Sequence, residues 1–153
     1  MNTTRELAEK VAQRITDYSF SVAVVATRDY APHIDQTAMG NALYCYVVPL
    51  GRSSPPPDED KNVMGSLSRT KKLRYFDVDV LVTQRTDTAT LATVDPLVDL
   101  MDEIRELFEA APLDGLAGRQ VRCVAIEPVV VDPEDYQRGQ FTSLLRLTFR
   151  VVS

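Results

Sequence analysis

Long apolar runs are missing from this chain. The longest near the front is VAVVA at 22–26, far short of the roughly 18 residues needed to cross a bilayer, so no membrane partner is expected. The opening stretch MNTTRELAEKVAQR alternates charge with small apolar residues and lacks a signal-peptide core, which points to a cytoplasmic setting. Cysteine and histidine are equally sparse. Cys45 and Cys123 lie far apart in apolar, alternating segments with no CxxC, the pattern of two buried thiols rather than of a disulfide or a metal pair. His33, in RDYAPHIDQ, has no second histidine or nearby cysteine to complete a zinc set. Phosphate-loop, dinucleotide, zinc-protease and nucleophile-elbow signatures are absent, and Gly65-Ser66-Leu67-Ser68 misses the GxSxG spacing. No cofactor is expected.

What is present suits one ordinary soluble domain. The chain has 153 residues, 44% hydrophobic and 25% charged, with a net charge of -5. A chain of this size buries roughly 70% of its unfolded surface. The acidic balance argues against nucleic acid as a tight ligand of the whole surface.

Periodicity gives the element order. Thr3-Thr4-Arg5-Glu6 fits a capping box with Thr3 as the cap, and Leu7, Val11, Ile15 and Tyr18 recur at helical spacing, predicting an amphipathic helix over 4–17. Phe20 to Thr27 is rich in β-branched residues, and Ala42 to Val48 alternates until Pro49 stops it; these are the first two strands. In LRYFDVDVLVTQ, a third strand, Phe76, Val78, Val80 and Val82 share one face, while Tyr75, Asp77, Asp79 and Leu81 share a half-wet one. Asp95-Pro96 reads as a cap followed by proline at the first helical position, starting a second helix that runs to about Ala110. Its stripe of Leu97, Leu100, Met101, Ile104, Leu107 and Phe108 is apolar. Its other face, with Asp95, Asp99, Asp102, Glu103, Glu106 and Glu109 against Arg105, is either solvated or meets a basic partner. Val121 to Val131 and QFTSLLRLTFRVV supply two more strands. Neighbouring strands are joined by connections too short for parallel crossovers except around the second helix. The expected fold is α+β: an antiparallel or mixed sheet of about five strands, two α-helices on one face, and a long loop at 49–72 between strands two and three.

That loop, PLGRSSPPPDEDKNVMGSLSRTKK, starts stiff and acidic and turns basic and flexible. Its Pro57-Asp58-Glu59-Asp60-Lys61 holds the pieces of a metal-dependent nuclease site, but nucleases place them on neighbouring strands, whereas here they are contiguous. Asp77 and Asp79 share a strand face and form a second conceivable carboxylate pair, set against a solvated or partner-facing surface. From Lys61 to Arg74 the chain carries Lys61, Arg69, Lys71, Lys72 and Arg74 and no acid.

The closing strand QFTSLLRLTFRVV, the preceding AIEPVVVDPEDYQRGQ, the strand RYFDVDVLV and the earlier VVPLGR together resemble small tail-module proteins of long-tailed bacteriophages and prophages, the tail terminator or tail completion family. The resemblance covers the chain from about Tyr44 onward and lies in element order and short phrases. It implies an α+β subunit that assembles as a ring, commonly of six copies, capping the tail tube, ending its polymerisation and joining it to the head. No catalytic residue is carried over. The partners it implies are further copies of the chain, the tail tube protein and a head-tail connector, with DNA passing through an acidic lumen without specific binding. The location it implies is the host cytoplasm during assembly and then the head-proximal end of the virion tail. A heterologous ring contact needs two complementary patches on each subunit. The candidate halves are the basic residues Lys61, Arg69, Lys71, Lys72 and Arg74 and the second helix's acids Asp99, Asp102, Glu103 and Glu106, while Asp77 and Asp79, with Arg146 and Arg150, are opposite charges on strand faces that can set ring register. A head-to-tail connector is the neighbouring alternative. A small metal-dependent enzyme using Asp58, Glu59 and Lys61, or Asp77 and Asp79, is the alternative of a different class.

Overall fold

The structure, a computed structural model, describes residues 3–30, 42–57, 73–85, 91–110, 112–114, 116, 118–127, 130, 131, 133 and 139–152. Its elements run α1 (Thr3–Asp17), β1 (Ala26–Arg28), β2 (Leu43–Ser53), β3 (Leu73–Arg85), α2 (Leu91–Ala110), β4 (Gln120–Ile126), β5 (Val130–Val131) and β6 (Gln140–Val152). The sheet order is β1-β2-β3-β6-β4, with β5 also on β6. All pairings are antiparallel except β1 on β2, which is parallel. The fold is therefore α+β with a mixed, open sheet. Because β3 and β4 both run against β6, they are parallel to each other, and α2 carries the chain over the strand inserted between them.

One core lies between the helices and one sheet face. Leu7, Ala8, Val11, Ala12 and Ile15 of α1 and Val94, Leu97, Leu100, Met101, Ile104 and Phe108 of α2 are buried in the same cluster as the inward residues of β2, β3 and β6. Val47, Val80 and Leu145 form one paired row across three strands, and each is fully buried. Period two explains this: β6 buries Phe141, Ser143, Leu145, Leu147, Phe149 and Val151 and turns the residues between them outward. Phe108 meets Phe149 edge-on at 6.1 Å, which sets the end of α2 against the C-terminal part of β6. Arg14 lies over the Phe108 ring and donates to the carbonyl of Pro112 at 2.8 Å, tying the end of α2 to α1.

Several expectations are corrected. Helix α1 includes Thr3 rather than using it as a cap, and Glu6 meets Arg119 at 3.4 Å. Tyr18 lies past the helix end, 51% exposed, with its ring 4.7 Å from that of Phe20. Of 20–27 only the last two residues join a strand. Phe20, Val22 and Val24 pack against the core without a ladder, because their β-branched and aromatic composition reports burial and not pairing. The chain between β1 and β2 is long enough for a parallel pairing, contrary to the short-connection argument.

Pro49 does not end β2. The strand continues to Ser53 through a register shift between Pro49 and Gly51, so the following connection begins at 54. Strand β1 covers only Cys45 to Val47, which leaves Pro49 beside β3 alone, an edge setting where a missing N–H is tolerated. Gly51 takes a φ of 89°, open to glycine at little cost, and absorbs the extra residue, Leu50. Helix α2 starts at Leu91, one turn before Asp95, and holds Pro96 inside it. Pro96 sits on the exposed side, so its ring adds no core strain and only one backbone bond is lost. The expected strand over 121–131 is divided into β4 and β5, with Glu127 still donating to Arg146 O at 3.0 Å.

Candidate functional site

Charged side chains are the informative feature, and they fall into distinct sets. On the sheet face away from the helices, register sets Asp79 opposite Arg146 and Asp77 opposite Thr148. The Arg146 guanidinium grips Asp79 as a fork, Nε to Oδ1 at 2.8 Å and Nη2 to Oδ2 at 3.1 Å, and Thr148 donates to Asp77 Oδ1 at 2.7 Å. The hydrogen bond to Asp79 holds the Arg146 guanidinium protonated even more firmly than usual. Nearby, Gln140 donates to the Thr83 hydroxyl at 2.6 Å. This face was expected to be half wet. Tyr75, Asp79 and Thr83 are instead buried, since β3 is central and has side chains from β2 and β6 on both flanks. Asp77 and Asp79 are thus committed inside the chain.

Helix α2 carries the second set. Glu103 accepts from the Ser21 hydroxyl at 2.9 Å, and Arg105 pairs with Glu109 at 3.0 Å one turn on. Asp95, Asp99, Asp102 and Glu106 are exposed, and among the described residues none of them has an ion pair.

The third set was only partly visible in the sequence. Beside the first residues of β4 lies a groove of about 440 Å³ lined by Arg119, Arg122 and Arg150, with Asp114, Pro112 and Leu113 on its other wall. Arg122 and Arg150 are direct cross-strand partners. Arg119 is positioned by a turn in which its N–H donates to Leu116 O at 3.1 Å and Gly118 takes a φ of 71°. Leu113 bridges to Val121 and closes the groove from the side. Outward alternation along QFTSLLRLTFRVV already places Arg150, but nothing in the spacing of Arg119 and Arg122 announces that they join it. The β4 to β6 register does.

Arg74 is half-buried opposite Val151, and Lys61, Arg69, Lys71 and Lys72 lie outside the described residues, as do Asp58, Glu59 and His33. The two cysteines are free thiols, Cys45 buried and Cys123 half-buried, and burial pushes both up to about 12. Among the described residues no three His, Cys, Asp or Glu side chains gather as metal ligands, and no helix is long and apolar enough to cross a membrane.

No protein-family model and no curated protein matches the chain. Among solved structures, one with 14% identity and a TM-score of 0.44 matches over 97% of this chain and 93% of its own length.

Proposed function

We propose that this chain is a structural ring subunit of a long-tailed phage or prophage, a tail terminator that caps the tail tube, ends its polymerisation and offers the head-joining surface. Supporting this reading is the division of the carboxylates. Those on the sheet are tied off within the subunit, whereas Asp95, Asp99, Asp102 and Glu106 stand exposed along one side of α2 and, among the described residues, have no ion pair, the neighbouring Arg105 being paired with Glu109. An uncompensated charged side on a small domain suits assembly with a complementary surface. The subunit would work in the host cytoplasm during assembly and then at the head-proximal end of the tail. Its partners would be its own copies, the tail tube protein and a head-tail connector, with DNA passing through unheld.

Measuring the particle mass of the purified protein, alone and with tail tube protein, tests the proposal. A ring of several copies, alone or seated on the tube, is expected. A protein that stays monomeric and ignores the tube would refute it. So would Mg²⁺-dependent DNA cleavage that is lost in a Glu59→Ala, Lys61→Ala variant.

A further inference from the structure

We infer that the β1 margin of the sheet, built from Tyr18, Val25, Arg28, Tyr30 and Leu50, is a docking surface for a different protein, one that offers an apolar recess with a carboxylate beside it. The identity of that protein rests on the ring reading, which makes it the tail tube subunit. Tyr18, Val25, Tyr30 and Leu50 are between 46% and 72% exposed, and among the described residues no other large apolar side chain is exposed. Single exposed apolar residues are ordinary, but four gathered at one border mark a contact surface. The fold brings them there by separate ties. Ala26 N–H donates to the Thr16 hydroxyl at 3.0 Å, which sets Tyr18 and Val25 at the start of β1. Past the other end of β1, Asp29 N–H donates to Val47 O at 3.0 Å, so Tyr30 follows beside the part of β2 that holds Leu50.

Arg28 lies among these residues and is incompletely satisfied. Its Nε meets Glu9 at 3.4 Å, its guanidinium lies 5.2 Å from the Tyr30 ring centroid, and its Nη1 is buried with no hydrogen-bond partner. Arg146, by contrast, commits two nitrogens to one carboxylate. An unpaired buried nitrogen on a charged group is costly, and a carboxylate arriving from outside removes that cost once the exposed Tyr30 ring turns aside. Tyrosine and arginine are also the side chains that dominate the centres of protein interfaces. What the rest of the chain lacks selects the partner. A head-to-tail joint between copies needs a second, complementary patch on each copy, and the described residues expose no other apolar one. A two-fold contact of the margin with itself would bring two Arg28 side chains together while each Glu9 is already taken by its own Arg28. The surface therefore fits another protein, and the tube is the one whose growth the ring must stop.

Two variants and one footprint provide the test. Val25→Ser with Tyr30→Ser removes apolar surface, and Arg28→Gln removes the charge, with thermal melting used to confirm that both variants fold. Particle mass alone and affinity for tail tube protein are then measured for each. Self-association should match that of the unaltered chain, whereas each variant should bind the tube at least about tenfold more weakly. The footprint needs no substitution: tyrosine nitration, read residue by residue in the unaltered chain, should slow at Tyr18 and Tyr30 when tube protein is bound. Tube binding at full strength in both variants, with Tyr30 nitrated as fast as in the free chain, overturns the inference and leaves the ring reading standing. A folded variant that loses self-association also overturns it, because the margin would then be a contact between copies. If the unaltered chain neither forms a ring nor binds tail tube protein, both fall.

Discussion

Asp77 and Asp79 on β3 and Asp99 and Asp102 on α2 are the same side chain at similarly close spacing, yet the fold treats them in opposite ways. Strand β6 brings Arg146 and Thr148 to the first pair, so their charge is spent on holding two strands in register. Among the described residues no ion pair reaches the second pair, which lies exposed on the outward side of a helix whose other side packs in the core. Carboxylates in mid-sheet belong to folding. Carboxylates on the outer side of this packed helix hold no strand or helix together among the described residues.

The contrast breaks at its root if β6 is dispensable, so the largest expected effect is from deleting 140–153. Core residues of β6 and the partners of Asp77 and Asp79 go together, and cooperative folding should be lost; a truncated protein that melts near the full-length temperature would overturn this. Alkali comes next. The thiols of Cys45 and Cys123 are pushed from 9.0 up to about 12 by burial, so the unfolded chain releases these protons first. Their contribution is intact below about pH 9 and is lost as pH rises towards about 12. Cys45→Val should flatten this fall in urea midpoints recorded across that range, and an unchanged profile would contradict it.

Arg146→Met leaves Asp79 charged and nearly buried without its fork, and urea titration should show a loss of about 2 kcal/mol. Adding Asp79→Val should recover most of it. Thr148→Val should cost about 1 kcal/mol by removing the half-buried hydroxyl that donates to Asp77 on the neighbouring cross-strand pair. Smallest of all, Asp99→Asn with Asp102→Asn should move stability by no more than about 0.5 kcal/mol each, upwards because helix repulsion is relieved. A large loss there would mean that the helix carboxylates are structural after all.

Legibility from sequence followed burial. Strands β3 and β6 were plain because one face of each enters the core, which sets Phe76, Val78, Val80 and Val82 and then Leu145, Leu147, Phe149 and Val151 at every second position. The start of α2 was misplaced because Asp95-Pro96 imitates a helix beginning, while the physical tolerance for Pro96 comes from its exposed position. Pro49 misled for a similar reason, its neighbour Leu50 being taken up by a bulge that only the pairing with β3 reveals. The acidic side of α2 was readable from spacing within one helix. The groove was not, because Arg119 and Arg122 meet Arg150 only through register between strands that are distant in sequence. The basic residues from Lys61 to Lys72 lie outside the described residues, and Arg74 alone of that group is placed.

The borders of the sheet give the molecule a further property. On one side β1 offers three residues of backbone. On the other, β4 slips register between Cys123 and Ala125, is bridged by Leu113 at Val121, and gives way to a β5 of two residues. At these described borders an incoming strand meets short or irregular rows of backbone N–H and C=O groups. At these two described margins, growth of a fibre by strand addition is obstructed, and the sheet does not offer its backbone as a template for a further strand.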